Sequence, residues 1–262
     1  MKKRLRWVIG IALVATLLYS GYRMVPILLE YAQSEAAKQE ALQAVAIADE
    51  DLPAATSMVE PAAGETSAEI PLEKPPITVD FNALQEINPE IIGWLYCVDT
   101  PINYPVAYTD NNNYYLNHLY DGTRNHSGTL FVDCNCSSDF SDMNTVIYGH
   151  HMKSGAMFAC LVEYEAQEYY EAHPVMYLLT PEHNYRLDIF SGYVAESGSQ
   201  RLFSKMEGKA EFDAYLDEII KLSDFDASVT TIPKDRIVTL STCTYDFDEA
   251  RYIVHAFVTE IG

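Results

Sequence analysis

The chain has 262 residues, of which 48% are hydrophobic and 12% aromatic, a composition that suffices for a sizeable packed core and excludes disorder along the whole length. Acidic residues outnumber Lys and Arg by 38 to 17, which gives a formal net charge of −21. This imbalance argues against a protein that binds nucleic acid phosphates, and it favours partners that are neutral or basic.

The first 30 residues predict a membrane anchor. Four bases lie within residues 1–6, and an apolar run over residues 7–29 follows, interrupted by Arg23. A helix over this run would be about 34 Å long, enough to cross the hydrocarbon core of a bilayer. The positive-inside rule then keeps residues 1–6 in the cytoplasm and places the rest of this single-pass protein outside the cell. A cleaved signal peptide is the competing interpretation, because its basic and apolar regions look alike.

Residues 30–77 predict a spacer that is helical at first and then disordered or extended. Ala, Glu, Gln and Leu dominate residues 30–47, whereas residues 48–76 are rich in Pro, Ala and Glu and show no periodicity. We expect the spacer to hold a folded body, residues 78–262, away from the membrane without fixing its orientation.

Residues 78–262 predict a mainly β domain. A short helical segment, residues 81–87, precedes eight runs that are dense in Val, Ile, Tyr, Phe and Thr. In chain order the runs are GWLYCV, INYPVAY, TLFVD, NTVIYGH, PVMYLLT, NYRLDIFSGYVAE, RIVTLSTC and ARYIVHAFVTEI. Eight such runs predict an eight-stranded, closed or nearly closed β-barrel. Helical patterns over residues 156–164 and 208–222 interrupt the runs, and the second is long enough for a helix packed on the barrel before the last two strands.

Five cysteines in an exported chain leave at least one thiol without a partner in the same chain. Cys97 and Cys160 lie in apolar segments, which is typical of buried structural cysteines. Cys134 and Cys136 are too close along the chain for an easy disulfide, and they lack the paired spacing of a structural zinc site. We therefore predict neither a metal nor another cofactor.

The remaining cysteine, Cys243, ends an apolar strand, and Arg251 begins the next one after a short acidic turn. His150 and His151 follow another apolar strand that ends in Gly149. A cysteine nucleophile needs a proton carrier for the leaving amine and a donor for the developing oxyanion, and imidazole and guanidinium groups supply these roles. Spacing alone leaves open whether the side chains meet. A buried strand-end cysteine beside an ordinary surface arginine is the alternative.

Several separated motifs resemble the sortases, the cysteine transpeptidases of Gram-positive cell surfaces. In chain order they are Ile102–Val106, Asp110–Leu116, Gly128–Asp133, Val146–Met152 and Thr239–Cys243, followed by Arg251. The first three motifs, together with the helix inserted before the final strand pair, resemble class B sortases in particular. The resemblance runs from about residue 85 to residue 262 and includes the N-terminal anchor.

The resemblance implies that Cys243 is the nucleophile, His150 the general acid and base, and Arg251 the group that stabilises the oxyanion or the substrate. It also implies that four residues line the groove for the substrate peptide: Asn112, Leu116, Tyr148 and Ser241. No acid matches a triad role, and Asp246 and Asp248 are interpreted as residues of a solvated loop.

The implied reaction is cleavage of a C-terminal sorting motif, of the type Asn/Ser-Pro-x-Thr-Gly/Asn, in surface proteins. Transfer of the cleaved protein to an amine of the peptidoglycan precursor completes it. Three alternatives stay open: a cysteine peptidase that hydrolyses without transfer, a sortase that polymerises pilins, and a surface-binding module in which Cys243 is a core residue.

Overall fold

The structure is a computed structural model, and it describes residues 2–47, 74–196, 206, 208–229, 235–243 and 250–262. It begins with one long helix, α1 (Lys2–Ala41), and a turn of 3₁₀ helix, Leu42–Ala44. Strand β1 (Val45–Ile47) then pairs antiparallel with β2 (Ile77–Val79), so the chain on either side of residues 48–73 is joined. Helix α1 is long and apolar enough to cross a membrane.

The predicted eight-stranded barrel is confirmed, and it is closed. Its strands are β3 (Ile91–Tyr96), β4 (Asn103–Ala107), β5 (Leu130–Val132), β6 (Asn144–Tyr148), β7 (Val175–Leu179), β8 (Asn184–Glu196), β9 (Ile237–Cys243) and β10 (Ala250–Ile261). Their order around the barrel is β10-β8-β7-β3-β4-β5-β6-β9. The pairs β4–β5 and β6–β9 are parallel, and the other six are antiparallel.

Every strand of the barrel sends apolar side chains into one interior core. Eight of these side chains, one from each strand, have no solvent exposure: Leu95, Val106, Leu130, Ile147, Leu178, Leu187, Leu240 and Val254. Interiors of this kind are packed as densely as organic crystals, so a shift of one strand is resisted by its neighbours. The strand ends, where the predicted catalytic residues lie, are therefore held in fixed relation.

Short helices surround the barrel. Helix α2 (Phe81–Ile87) begins at Asp80, whose side chain caps it by accepting from the Ala83 N–H at 3.1 Å. Helix α4 (Lys209–Leu222) lies before the last two strands, as predicted, and packs on β8 and β10 through four buried side chains: Phe212, Tyr215, Leu216 and Ile219.

The structure of residues 156–164 differs from the predicted helix. The chain instead forms a 3₁₀ helix, Ala159–Glu165, and then α3 (Gln167–Ala172). Met157 has a left-handed backbone, with φ of 58°, so a continuous α-helix cannot begin before it. Ala166 is extended, which separates the two short helices.

The outer part of α1, meaning its C-terminal residues 30–41, packs against the barrel. Ala37 and Ala41 are buried there, and Lys38 Nζ donates to the hydroxyl of Tyr104 at 3.0 Å and to the carbonyl of Pro101 at 3.2 Å. The same ammonium lies 4.1 Å from the centre of the Tyr104 ring, which adds a cation–π contact. Residues 30–41, which the sequence assigns to the spacer, thus contact the body directly. Most of the expected disordered part, residues 48–73, lies outside the described residues.

His255 on β10 is fully buried between the barrel and α4. Its Nδ1 lies 2.9 Å from Thr239 Oγ1, and the rings of Phe190, Tyr193 and Tyr215 surround it with centroids 5.7 to 6.1 Å away. Burial lowers the pKa of His255 to about 3 because the imidazolium would lose its hydration there. The native ring is therefore neutral at neutral pH.

This histidine predicts a loss of stability in acid. Below its ordinary pKa of 6.5, unfolded His255 binds a proton that the native chain does not bind. The free energy of unfolding should therefore fall by about 1.4 kcal/mol per pH unit from this group as the pH drops towards 3. Urea unfolding at several pH values measures the slope. We expect His255→Asn to be less stable at pH 7 and to have a shallower slope, whereas exposed His183→Asn should keep the wild-type slope. A His255→Asn slope equal to that of the wild type would contradict the assignment.

Candidate active site

Three neighbouring strands bring the predicted catalytic residues to one rim of the barrel. Strands β6 and β9 run parallel, and Tyr148 lies opposite Ser241. His150 lies two residues after Tyr148, just beyond the end of β6, and Cys243 lies two residues after Ser241, at the end of β9. Strands β9 and β10 run antiparallel, and Arg251 lies directly opposite Cys243. The strand register therefore gathers the backbones of His150, Cys243 and Arg251 at the same place.

His150 is held in one orientation by a backbone carbonyl. Its Nε2 lies 2.8 Å from the carbonyl oxygen of Leu116, and the residue is half-buried. Because a carbonyl only accepts hydrogen bonds, Nε2 carries the proton of the neutral ring. Nδ1 is then the nitrogen that is left to take up or release a proton. The arrangement suits a general acid and base that acts through Nδ1.

Two glycines allow the chain to pack closely around His150. Gly128 has a φ of +63°, and a Cβ on it would stand 2.5 Å from the Tyr115 carbonyl oxygen and 3.2 Å from His150 Cδ2. A Cβ on Gly149 would stand 2.6 Å from Cδ2 of Phe158. Both positions require glycine because no side chain fits there. This explains why glycine directly precedes the histidine in the Val146–Met152 motif.

Buried Asp133, the residue after β5, organises two of the predicted groove residues. Its Oδ2 accepts hydrogen bonds from Asn112 Nδ2 at 3.0 Å and from the Tyr148 hydroxyl at 2.9 Å. Asn112 Oδ1 in turn accepts from the N–H of Cys134 at 2.8 Å. Asp133 was not predicted to be part of the site, although it ends the Gly128–Asp133 motif. The sequence feature that could have indicated Asp133 is an acidic residue directly after a buried strand.

The other predicted groove residues lie on the same side of the barrel. Leu116 contributes its carbonyl oxygen to His150, and Ser241 is buried on β9 with an Oγ that has no hydrogen-bond partner among the described residues. Burial raises the pKa of Tyr148, the Asp133 carboxylate raises it further, and the positive charge of Arg251 partly offsets this. The Tyr148 phenol therefore stays protonated and can donate its hydrogen bond to Asp133. Arg251 lies close enough to Tyr148 for its charge to affect the Tyr148 pKa.

Burial affects the two cysteines that the sequence assigns to structural roles. Cys97 has no solvent exposure, and burial raises its pKa to about 11. Burial likewise raises the pKa of Cys160. At neutral pH these two groups remain thiols, which are poor nucleophiles. Asp246 and Asp248, between Cys243 and Arg251, lie outside the described residues.

Comparisons with known proteins identify the family. Residues 102–259 match the Sortase domain family. The chain is 34% identical to sortase B of Listeria monocytogenes over 177 residues, which cover 67% of this chain and 72% of that protein. It is 31% identical to sortase B of Staphylococcus aureus over 184 residues, which cover 70% of this chain and 75% of that protein.

Solved structures give the same result for the fold. The crystal structure of Staphylococcus aureus sortase B superposes with a TM-score of 0.65 at 30% identity, covering 70% of this chain and 87% of that one. Sortase B of Bacillus anthracis superposes with a TM-score of 0.67 at 29% identity, covering 87% of this chain and 94% of that one. The barrel, the sequence motifs and these relatives together establish that the chain belongs to the sortase family of cysteine transpeptidases, in class B.

Proposed function

We propose that this sortase works at the outer face of the cell membrane, where it joins surface proteins to the cell wall. It cleaves a C-terminal sorting motif of the Asn/Ser-Pro-x-Thr-Gly/Asn type and transfers the protein to an amine of the peptidoglycan precursor. In this proposal residues 1–6 are a cytoplasmic tail, 7–29 the membrane anchor, 30–77 the spacer and 78–262 the catalytic domain.

The observation that carries the proposal is the register of β6, β9 and β10, with Arg251 opposite Cys243 and His150 at the same rim. These are the three residue types that cysteine acyl transfer requires. Sortase B of Staphylococcus aureus has been solved in complex with a substrate, and a sortase B has been solved in complex with triglycine, which carries a free amine. Both kinds of ligand support the proposal that this chain exchanges one amide for another.

In the first half of the reaction, the Cys243 sulfur attacks the carbonyl carbon of the motif's Thr. The guanidinium of Arg251 stabilises the negative oxygen of the tetrahedral intermediate, since a fixed cation is most effective where charge develops. The C–N bond to the following residue breaks, and protonated His150 gives its Nδ1 proton to the leaving amine. A thioester between Thr and Cys243 remains.

In the second half, neutral His150 takes a proton from the incoming amine at Nδ1. The amine nitrogen attacks the thioester carbonyl, the C–S bond breaks, and a new amide bond forms. Cys243 leaves as a thiolate, and the proton returns to the Cys243 and His150 pair. No net charge or proton is gained or lost over the cycle.

The four groove residues have complementary tasks in this scheme. The Leu116 carbonyl sets the orientation of His150, whereas Asn112 and Tyr148, both bound to Asp133, form a wall against which the motif packs. The Ser241 hydroxyl lies on β9 two residues before the nucleophile, and it serves the bound peptide as a donor.

A membrane anchor is useful for this reaction because its other participants are also held at the membrane. Sorting substrates and lipid-linked amine precursors share the surface with the enzyme, so confinement raises the effective concentration of all three. α1 provides an anchor of sufficient length for this purpose.

Incubating the full chain in detergent micelles with sorting-motif peptides tests the proposal, with product masses measured with and without triglycine. We expect cleavage after Thr and, with triglycine, a product that carries the added amine, both absent in Cys243→Ala. Cleavage with no amine adduct would identify a peptidase instead. Ligation only to a Lys-containing pilin peptide would identify a pilin polymerase.

A further inference from the structure

The loop between β4 and β5 lies between the outer part of α1 and His150. On one side, residues of this loop contact α1 near Glu30. On the other side, the carbonyl of Leu116 in the same loop binds His150 Nε2. The loop is thus in contact with both the helix that leads to the membrane and the predicted proton carrier.

Asn125 makes the buried contact to the helix. Only 1% of the residue is exposed, and its Nδ2 donates to the carbonyl oxygen of Glu30 at 2.9 Å and to Gln33 Oε1 at 3.3 Å. Its Oδ1 accepts from the N–H of Ser127 at 2.9 Å. The neighbouring ion pair between His126 and Glu30 is largely exposed, with 72% of the His126 side chain accessible, and such pairs contribute little. The Asn125 amide is therefore the main polar link between loop and helix.

The backbone of Asn125 extends this link towards His150. Its N–H donates to the Asn117 carbonyl at 2.9 Å, and its carbonyl accepts from the Gly128 N–H at 3.3 Å. Asn117 directly follows Leu116, whose carbonyl holds His150 Nε2, and Gly128 packs against His150 Cδ2. Two short routes thus lead from the Asn125 amide to the imidazole, each through a single backbone hydrogen bond.

We propose that Asn125 is a positioning residue that makes the outer turns of α1 part of the active-site scaffold. The helix fixes Asn125, Asn125 fixes the segments at Leu116 and Gly128, and these segments hold the His150 ring with Nδ1 free for proton transfer. This inference rests on the proposed role of His150. It gives residues 30–33 a role beyond that of a spacer, because the buried Asn125 side chain connects them to the loop that holds His150.

The test compares the full chain in detergent micelles with its Asn125→Ala variant. Carbethoxylation of individual histidines by diethyl pyrocarbonate, followed by peptide mass spectrometry, reports how firmly each ring is held. We expect His150 to react several-fold faster in the variant, since its Nε2 is no longer restrained, while His183 at the far end of the barrel keeps its rate. An unchanged His150 rate in a folded variant would overturn the proposal.

Two further variants separate positioning from a general loss of stability. Ser191→Ala removes a different fully buried hydrogen bond, from Ser191 Oγ to the Ile219 carbonyl at 2.6 Å, and should leave the His150 rate unchanged. Asn125→Asp keeps the acceptor for Ser127 but loses the donor to α1, so it should behave like Asn125→Ala. Wild-type behaviour of Asn125→Asp would exclude the helix from the proposal.

Peptide turnover gives a second readout. In both Asn125 variants we expect kcat to fall about tenfold with KM within about twofold of the wild type, because the substrate groove is retained and the proton carrier is displaced. Equal kcat in Asn125→Ala and Ser191→Ala would argue against positioning. If the wild type turns over no peptide, the proposed function fails, and the carbethoxylation rates still decide the role of Asn125.

Discussion

Replacing His150 with Ala is expected to lower kcat/KM for a sorting-motif peptide by about three orders of magnitude, the range that general acid and base catalysis supplies. Without the imidazole, the leaving amine must depart unprotonated and the incoming amine must attack while still carrying its proton. Steady-state kinetics on the full chain in micelles measure the loss. We expect KM to change little, since His150 acts on the transition state more than on substrate binding.

The chain offers a matched control one residue away. His151 carries the same side chain, but it is His150 whose Nε2 is bound to the Leu116 carbonyl. His151→Ala should therefore retain kcat/KM within about threefold of the wild type, a change of less than 1 kcal/mol in the activation free energy. If the losses were equal, or larger for His151→Ala, the assignment of the proton carrier would be wrong.

Gly128→Ala is expected to be the most damaging substitution outside the catalytic residues. The new Cβ would stand 2.5 Å from the Tyr115 carbonyl oxygen and 3.2 Å from His150 Cδ2, so the loop or the imidazole must move. A displacement of about 1 Å at a catalytic group can cost about 10²-fold in rate. We therefore expect kcat to fall by about two orders of magnitude, together with a lower melting temperature.

Gly122→Ala controls for backbone strain in this experiment. Gly122 also has a positive φ, +82°, but the atom nearest to a new Cβ there, the Tyr114 hydroxyl oxygen, is 3.7 Å away. This variant carries the conformational cost of alanine without the crowding. It should lose stability and keep kcat. If Gly128→Ala also keeps the wild-type kcat, close packing at Gly128 does not determine the position of His150.

The strands of this fold were predictable because each carries a strong local signal. Runs such as NTVIYGH and ARYIVHAFVTEI are dense in Val, Ile, Tyr, Phe and Thr, and all eight predicted runs correspond to barrel strands. The strand order was not predictable, since the parallel pairs β4–β5 and β6–β9 join segments that are distant in sequence. The pattern over residues 156–164 was misleading because apolar spacing does not report the left-handed backbone of Met157.

The candidate site divides in the same way. Residue type and motif predict Cys243, His150 and Arg251 as catalytic residues, and the register that brings their backbones together emerges only from strand pairing. Asp133 and Asn125 were not identified, because their importance lies in hydrogen bonds to distant segments. The bond from Asn125 to the Glu30 carbonyl spans 95 positions and involves a backbone atom, which no side-chain pattern encodes.

The interpretation of residues 30–47 changes most. Ala- and Glu-rich composition over residues 30–47 predicts the helical part of a spacer. In the structure the helix continues to Ala41, and Ala37 and Ala41 are buried against the body. After the helix, β1 pairs with β2. Alanines at these positions allow the helix backbone to approach the barrel closely. The predicted membrane anchor and the barrel are therefore connected by one continuous helix whose C-terminal part packs on the barrel.

The central claim is that Cys243 forms a thioester with the sorting motif. Full-length protein incubated with a panel of Pro-x-Thr peptides, without any amine, can be digested in acid and mapped by mass spectrometry. The account predicts an adduct on Cys243 that equals the peptide up to its Thr, is absent in Cys243→Ala and disappears on addition of triglycine. A folded preparation that yields no adduct across the panel, or an adduct on another cysteine, would contradict it.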